Sequence, residues 1–92
     1  MNAEQLVDRA HKLYQMRNAA KLFYGARYTE HTSHMATVLG RVMAQQNVEV
    51  LPAAIWLAKR VDPSDVREMA LIMATAIDLI EGADKPQEGS QK

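Results

Sequence analysis

The length, composition and charge of this chain of 92 residues exclude several classes of protein. The length fits one domain, and the absence of cysteine excludes disulfides and thiolate chemistry. With 11 basic and 11 acidic side chains the net charge is zero, so no overall field directs the molecule to nucleic acid or membrane. The charge is uneven, because residues 1–30 carry five basic and three acidic side chains and residues 62–92 carry three and seven.

The N-terminal residues do not resemble a secretion signal. Glu4, Asp8 and Arg9 stand where a signal peptide would need an apolar run. The longest mostly apolar run, residues 69–77, is far shorter than the ~20 residues of a membrane span. We therefore expect a cytoplasmic protein without a membrane partner.

The first predicted helix covers residues 3–24. Asn2 can cap it, and no helix breaker occurs before Gly25. Its predicted core face consists of residues at helical spacing: Leu6, Ala10, Leu13, Met16, Ala20, Phe23 and Tyr24. Arg17 falls within this face. Either its aliphatic stem lies on the core with its guanidinium at the rim, or it pairs with an acid or an anionic ligand at a subunit boundary.

The second predicted helix covers residues 30–46. Thr29 belongs to the residue types that cap a helix N-terminus, and Asn47 is suited to end the helix. Apolar side chains recur every three or four residues along it: Met35, Val38, Leu39, Val42 and Met43. One face of this helix should therefore be buried.

The third predicted helix is short, at residues 52–61. Pro52 suits its first position, where the missing N–H costs little. Ile55 and Ala58 should face inward. Trp56, the only tryptophan, should lie at the core edge with its N–H in water or should anchor an interface.

The fourth predicted helix, at residues 63–81, is the element around which the fold should form. Asp62 can cap it, Pro63 suits its first position, and Gly82 suits a left-handed C-terminal cap. Apolar residues occupy most of its circumference. Several neighbours must therefore cover this helix.

These elements predict an all-α fold, a compact four-helix domain with a central apolar C-terminal helix. The domain should cover residues 1–82, and residues 83–92 should form a short disordered tail because they have almost no apolar side chains. The first and fourth helices carry more apolar surface than two short partners can cover, which favours a homodimer. The predicted dimer interface lies on the fourth helix: Met69, Leu71, Ile72, Met73, Leu79 and Ile80.

A basic and aromatic strip follows the first helix and its continuation. Between Arg9 and Arg27 there are five basic residues and no acidic one, with aromatic rings interleaved. Cations beside stacking rings suit a nucleotide or a single-stranded nucleic acid, although tyrosines and arginines also occur at core edges. The candidate binding residues are Tyr14, Arg17, Lys21, Tyr24, Arg27 and Tyr28, with Trp56 as a separate anchor.

Metal binding and catalysis have weaker support in the sequence. His31 and His34 share a helix face and could reach one metal ion, but a site needs further ligands. Asp78 and Glu81 are expected on the outer side of the fourth helix as solubilising charge. No residue order suggests a catalytic triad, a phosphate loop or a buried acid pair. We therefore expect no enzyme activity, metal or cofactor.

The leading functional hypothesis is a small non-enzymatic interaction protein that binds a partner protein. It would act as a regulator, adaptor or inhibitor of the kind that phages and plasmids encode. The small size, the absence of a catalytic constellation and the expected self-association motivate it. The alternative is a binder of a nucleotide or nucleic acid through the basic and aromatic strip, with binding that weakens steeply in salt.

Overall fold

The structure, a computed structural model, describes residues 2–84. These residues form four α-helices and one 3₁₀ turn, with no strand among them. The elements are α1 (Ala3–Tyr24), the 3₁₀ turn (Gly25–Arg27), α2 (Tyr28–Gln46), α3 (Val50–Ala58) and α4 (Val66–Asp84). The predicted all-α class is confirmed. The expected tail lies outside the described residues from residue 85 onward, and its first two positions belong to α4.

The first two helices form one bent helical segment. A reciprocal capping box begins α1, in which the Gln5 N–H donates to Asn2 Oδ1 at 2.9 Å and the Asn2 N–H donates to Gln5 Oε1 at 3.1 Å. Gly25 ends α1 with a φ of 55°, a conformation that favours glycine. The predicted cap Thr29 instead lies inside α2, because the 3₁₀ turn leads directly into Tyr28.

Backbone chemistry also sets the limits of α2 and α3. Asn47 ends α2, as the sequence predicted. It does so in the left-handed conformation, with φ 55° and ψ 53°, and its N–H donates to the Met43 carbonyl. The helix α3 begins at Val50, which places Pro52 at its third position instead of its first. This position is tolerated because first-turn N–H groups have no acceptor within the helix.

The predicted start of α4 was wrong. Asp62 holds a turn by accepting the Ser64 N–H at 3.0 Å and the Ser64 hydroxyl at 2.9 Å. Asp65 is the residue whose carboxylate accepts the Glu68 N–H at 3.1 Å, directly before the helix begins at Val66. The predicted end of α4 at Gly82 was also wrong, since the helix continues through Gly82 to Asp84.

The helix α4 lies at the centre of the fold, as predicted, and packs against α1, α2 and α3. The main core forms where α2, α3 and α4 meet, and its buried members are Met35, Leu39, Val42, Ala53, Ala54, Leu71, Ile72 and Ala76. A second contact joins α1 to α4 through three buried alanines, Ala20, Ala70 and Ala74. Small side chains at this contact bring the two helix backbones close together.

Two predicted core faces differ from the structure. Residues 2–12 are all exposed, and Leu6 keeps 56% of its surface in solvent. The antiparallel register explains this, because Tyr14 already contacts Glu81 near the end of α4. In α3 the buried residues are Ala53 and Ala54, so Ile55 faces outward and is 44% exposed.

Candidate interaction surfaces

A polar cluster joins α1 and the start of α2 to the last turns of α4. We call it the α1–α4 polar cluster, and its members are Tyr14, Arg17, Tyr28, Asp78 and Glu81. Arg17 Nη1 donates to Glu81 Oε1 at 2.6 Å and to Asp78 Oδ1 at 3.2 Å. The Tyr14 hydroxyl donates to Glu81 Oε2 and the Tyr28 hydroxyl to Asp78 Oδ2, each at 2.8 Å. Each carboxylate therefore accepts one hydrogen bond from Arg17 and one from a tyrosine hydroxyl.

Burial and ionisation agree with a structural role for the α1–α4 polar cluster. The Arg17 side chain is only 18% exposed, and its Nε is buried without a hydrogen-bond partner among residues 2–84. The hydrogen bond to Glu81 raises the pKa of Arg17 above its ordinary value. Burial, aided by the hydrogen bond to Asp78, raises the pKa of Tyr28 well above that of a free tyrosine. The expectation that Asp78 and Glu81 are outer solubilising charges was wrong.

The rest of the basic and aromatic strip lies at the edge of the core. The Tyr24 hydroxyl donates to the Arg67 carbonyl at 3.3 Å, and its ring lies 4.5 Å from that of His31. Arg27 pairs with Glu30 three residues later on the exposed surface. Lys21 is exposed, with its ammonium 5.7 Å from the Tyr28 ring centroid. Of the three cations in the predicted site, two therefore already meet carboxylates of the same chain.

The residues predicted for a dimer interface divide between core and surface. Leu71 and Ile72 are buried within the chain itself, with 4% and 0% of their surface exposed, so their assignment to an interface was wrong. Met69 and Met73 are half-buried. The remaining pair lies near the end of α4, where Leu79 is 37% exposed and Ile80 is half-buried.

A groove runs between α2 and α4 and reaches the start of α3. We call it the α2–α4 groove. Its apolar end encloses about 390 Å³ and is lined by Ala36, Gly40, Met43, Glu49, Val50, Leu79 and Ile80. A shallower part, lined partly by Thr32, Ser33 and Thr75, continues from it along the same two helices. At Gly40 an added Cβ would meet no atom within 4 Å, so the fold of residues 2–84 leaves this position open.

The outward face of α3 forms a second surface, which we call the α3 stripe. It borders a shallow groove of about 500 Å³ and consists of Pro52, Ile55, Trp56, Lys59 and Arg60. The guanidinium carbon of Arg60 lies 3.6 Å from the centroid of the Trp56 ring, and Arg60 Nη1 donates to the Trp56 carbonyl at 2.9 Å. The surface thus combines apolar side chains with two cations.

The two histidines of the metal hypothesis differ in their surroundings. His31 is half-buried against Tyr24, whereas His34 is exposed. Within residues 2–84, no three side chains of the metal-binding types converge on one point. The structure therefore adds no ligand to this pair.

The sequence did not single out either groove before the structure was known. Two signals were present in it. Gly40 lies in the middle of α2, where glycine disfavours a helix, and Pro52, Ile55, Trp56 and Lys59 recur at helical spacing on the face of α3 opposite its alanines.

Comparisons of this chain with protein-family models, with curated proteins and with solved structures give no match. Among residues 2–84, no helix has the length and apolar character needed to cross a membrane.

Proposed function

We propose that this chain is a small non-enzymatic interaction protein, a regulator, adaptor or inhibitor, that acts as a homodimer and binds a partner protein. The observation that carries the proposal is the α2–α4 groove, an apolar channel beside exposed Leu79 that the described residues leave unfilled. An apolar groove between two helices is the kind of surface into which a further helix packs. The cytoplasmic location expected from the sequence remains a prediction.

The groove has the dimensions of a helix-docking site. Its lining on α2 extends from Thr32 to Met43, about three helical turns. Ala36 and Gly40 keep the α2 side low, so another helix backbone can approach closely. Two residues of the expected dimer interface, Leu79 and Ile80, form the α4 side. These features support a second copy of the chain as the occupant.

The test is the solution mass by light scattering across a dilution series, at low and high salt. We expect a mass twice the chain's 10.3 kDa at both salts, because the contact is apolar. Leu79→Lys should give a monomer, since it places a charge in the groove. Leu22→Lys is the matched control, because Leu22 is 84% exposed on α1. A wild-type monomer at every concentration would refute the homodimer.

The alternative, an anionic ligand on the basic and aromatic strip, has less support. Arg17 is held by two carboxylates, and Arg27 is held by Glu30. A phosphate at Arg17 would have to displace the two carboxylates that already pair with its Nη1. Saturable binding of a single-stranded oligonucleotide that is lost in Lys21→Glu would favour this alternative over a protein partner.

A further inference from the structure

The α3 stripe carries cations whose charge is not met by the described part of the chain. Lys12, Arg17 and Arg27 each form an ion pair with an acid of the same chain. Six described cations form no ion pair among residues 2–84, and Lys59 and Arg60 are the two of them that are neighbours in the sequence; the others are Arg9, Lys21, Arg41 and Arg67. Two adjacent cations at the end of one helix therefore give this surface a local positive charge on a molecule with no net charge.

Arg60 is held in place before any partner arrives. The contact of its guanidinium with the Trp56 ring and its hydrogen bond to the Trp56 carbonyl both restrict the side chain. A restricted arginine loses little conformational entropy when it takes up a carboxylate, because most of that entropy is already lost. Tryptophan and arginine are also the residue types that most often dominate binding energy at protein interfaces.

Apolar side chains lie directly beside these cations. Ile55 is 44% exposed, and Pro52 is exposed one turn earlier on the same side of α3. A ligand that complements this surface must therefore present acidic groups at one end and an apolar side chain at the other.

We propose that the α3 stripe binds an acidic, apolar segment of a partner protein. Carboxylates of the segment meet Arg60 and Lys59, and an apolar side chain of the segment packs on Ile55 and Pro52. Charge complementarity fixes the direction of the segment along α3, and the apolar contact supplies affinity that salt does not remove. This inference names the partner chemistry of the proposed interaction protein and rests on that proposed function.

The surface fits a protein segment better than a nucleic acid. Single-stranded nucleic acids need an aromatic ring with a free face on which a base can stack. Trp56 is half-buried against the core, and Arg60 lies over its ring. Ile55 and Pro52 would also gain nothing from a phosphate backbone.

Trp56 provides a specific reporter, because it is the only tryptophan in the chain. The full chain is titrated with a synthetic helical peptide of about 12 residues, three turns long, built from glutamate, leucine and alanine. Three probes of the same length serve as comparisons: an all-glutamate peptide, the same amphipathic peptide with lysine in place of glutamate, and an oligothymidylate. We expect a saturable change in Trp56 emission with the acidic apolar peptide and weaker or no binding with the other three.

Matched variants locate the binding. Arg60→Gln should weaken the acidic apolar peptide about tenfold or more, and Ile55→Ala should weaken it at both low and high salt. Arg41→Gln, an exposed arginine on α2, should leave the affinity unchanged. Far-ultraviolet circular dichroism checks that each variant keeps its helix content.

Several results would overturn the inference. These are no emission change with the acidic apolar peptide, equal binding of the all-glutamate peptide, and preferential binding of the oligothymidylate. Light scattering separates this failure from failure of the proposed function. If only the α3 assignment were wrong, the wild type would still be a dimer and Leu79→Lys would still be a monomer.

Discussion

The α1–α4 polar cluster allows a strong test of how Arg17 contributes to stability. We expect Arg17→Met to lower the free energy of unfolding by about 2 kcal/mol. The substitution removes two hydrogen bonds to carboxylates, at 2.6 and 3.2 Å, each of a kind that contributes about 1.5–3 kcal/mol. Methionine keeps most of the packing of the arginine stem.

Three effects reduce the gross loss to this value. The variant no longer buries an Nε without a partner, and it no longer restricts a long arginine side chain. Asp78 and Glu81 are also 38% and 34% exposed, so water replaces part of the lost interaction. For a domain of this size, the remaining loss lowers the melting temperature by about 8–16 °C.

The assay is urea unfolding followed by circular dichroism. Arg27→Met is the matched control, because Arg27 pairs with Glu30 on the exposed surface, and its loss should not be measurable. The triple variant Arg17→Met, Asp78→Asn, Glu81→Gln should recover most of the stability, since removing every charge leaves no carboxylate without its cation.

Two results would refute this reasoning. If Arg17→Met is as stable in urea as Arg27→Met, burial does not strengthen the pairing of Arg17 with Asp78 and Glu81. If the triple variant is as unstable as the single one, the lost stability comes from the hydrogen bonds or packing of Arg17 itself and not from uncompensated charge on the two carboxylates.

Three further predictions concern packing, backbone and pH. Ala74→Leu should cost about 1–3 kcal/mol in urea unfolding because Ala74 is fully buried against Ala20, whereas Ala44→Leu on the exposed side of α2 should not. In the Leu79→Lys variant, which should leave the groove empty, Gly40→Ala should raise the free energy of unfolding by about 1 kcal/mol, since the new Cβ meets no atom of residues 2–84 within 4 Å and alanine favours the helix; a loss of stability would contradict this. Burial raises the pKa of Tyr28 above its ordinary value of 10.0. The contribution of Tyr28 to the free energy of unfolding is therefore present below pH 10 and is lost as pH rises through the folded-state pKa. Tyr28→Phe should therefore weaken the alkaline loss of stability, and equal slopes above pH 10 in the two proteins would contradict this.

Local sequence determined the helical segments and several of their ends. The Asn2–Gln5 capping box, Gly25 and Asn47 act through hydrogen bonds or dihedral angles within a few residues, so they could be recognised without a fold. The start of α4 was harder to predict. Asp62 and Asp65 are both suitable caps three residues apart, and local chemistry does not rank them.

The pattern of apolar residues also identified α4 as the central helix before its neighbours were known. Periodicity shows that a face is buried, but it does not show which helix covers that face or how far the cover extends. For this reason the sequence assigned Leu6 to the core, whereas the register of α1 against α4 leaves it exposed. It assigned Leu71 to a dimer interface, whereas the core formed with α2 and α3 buries it.

Only the tertiary structure decided the role of Arg17 and the two carboxylates of α4. The sequence left open whether Arg17 pairs with an acid at a subunit boundary, but the antiparallel packing of α1 on α4 brings it to Asp78 and Glu81 of the same chain. The sequence by itself determined that the chain is helical and which helix is central, because these properties depend on local spacing. The tertiary structure decided which charges are satisfied and which apolar residues remain outside, because these depend on the register between distant helices.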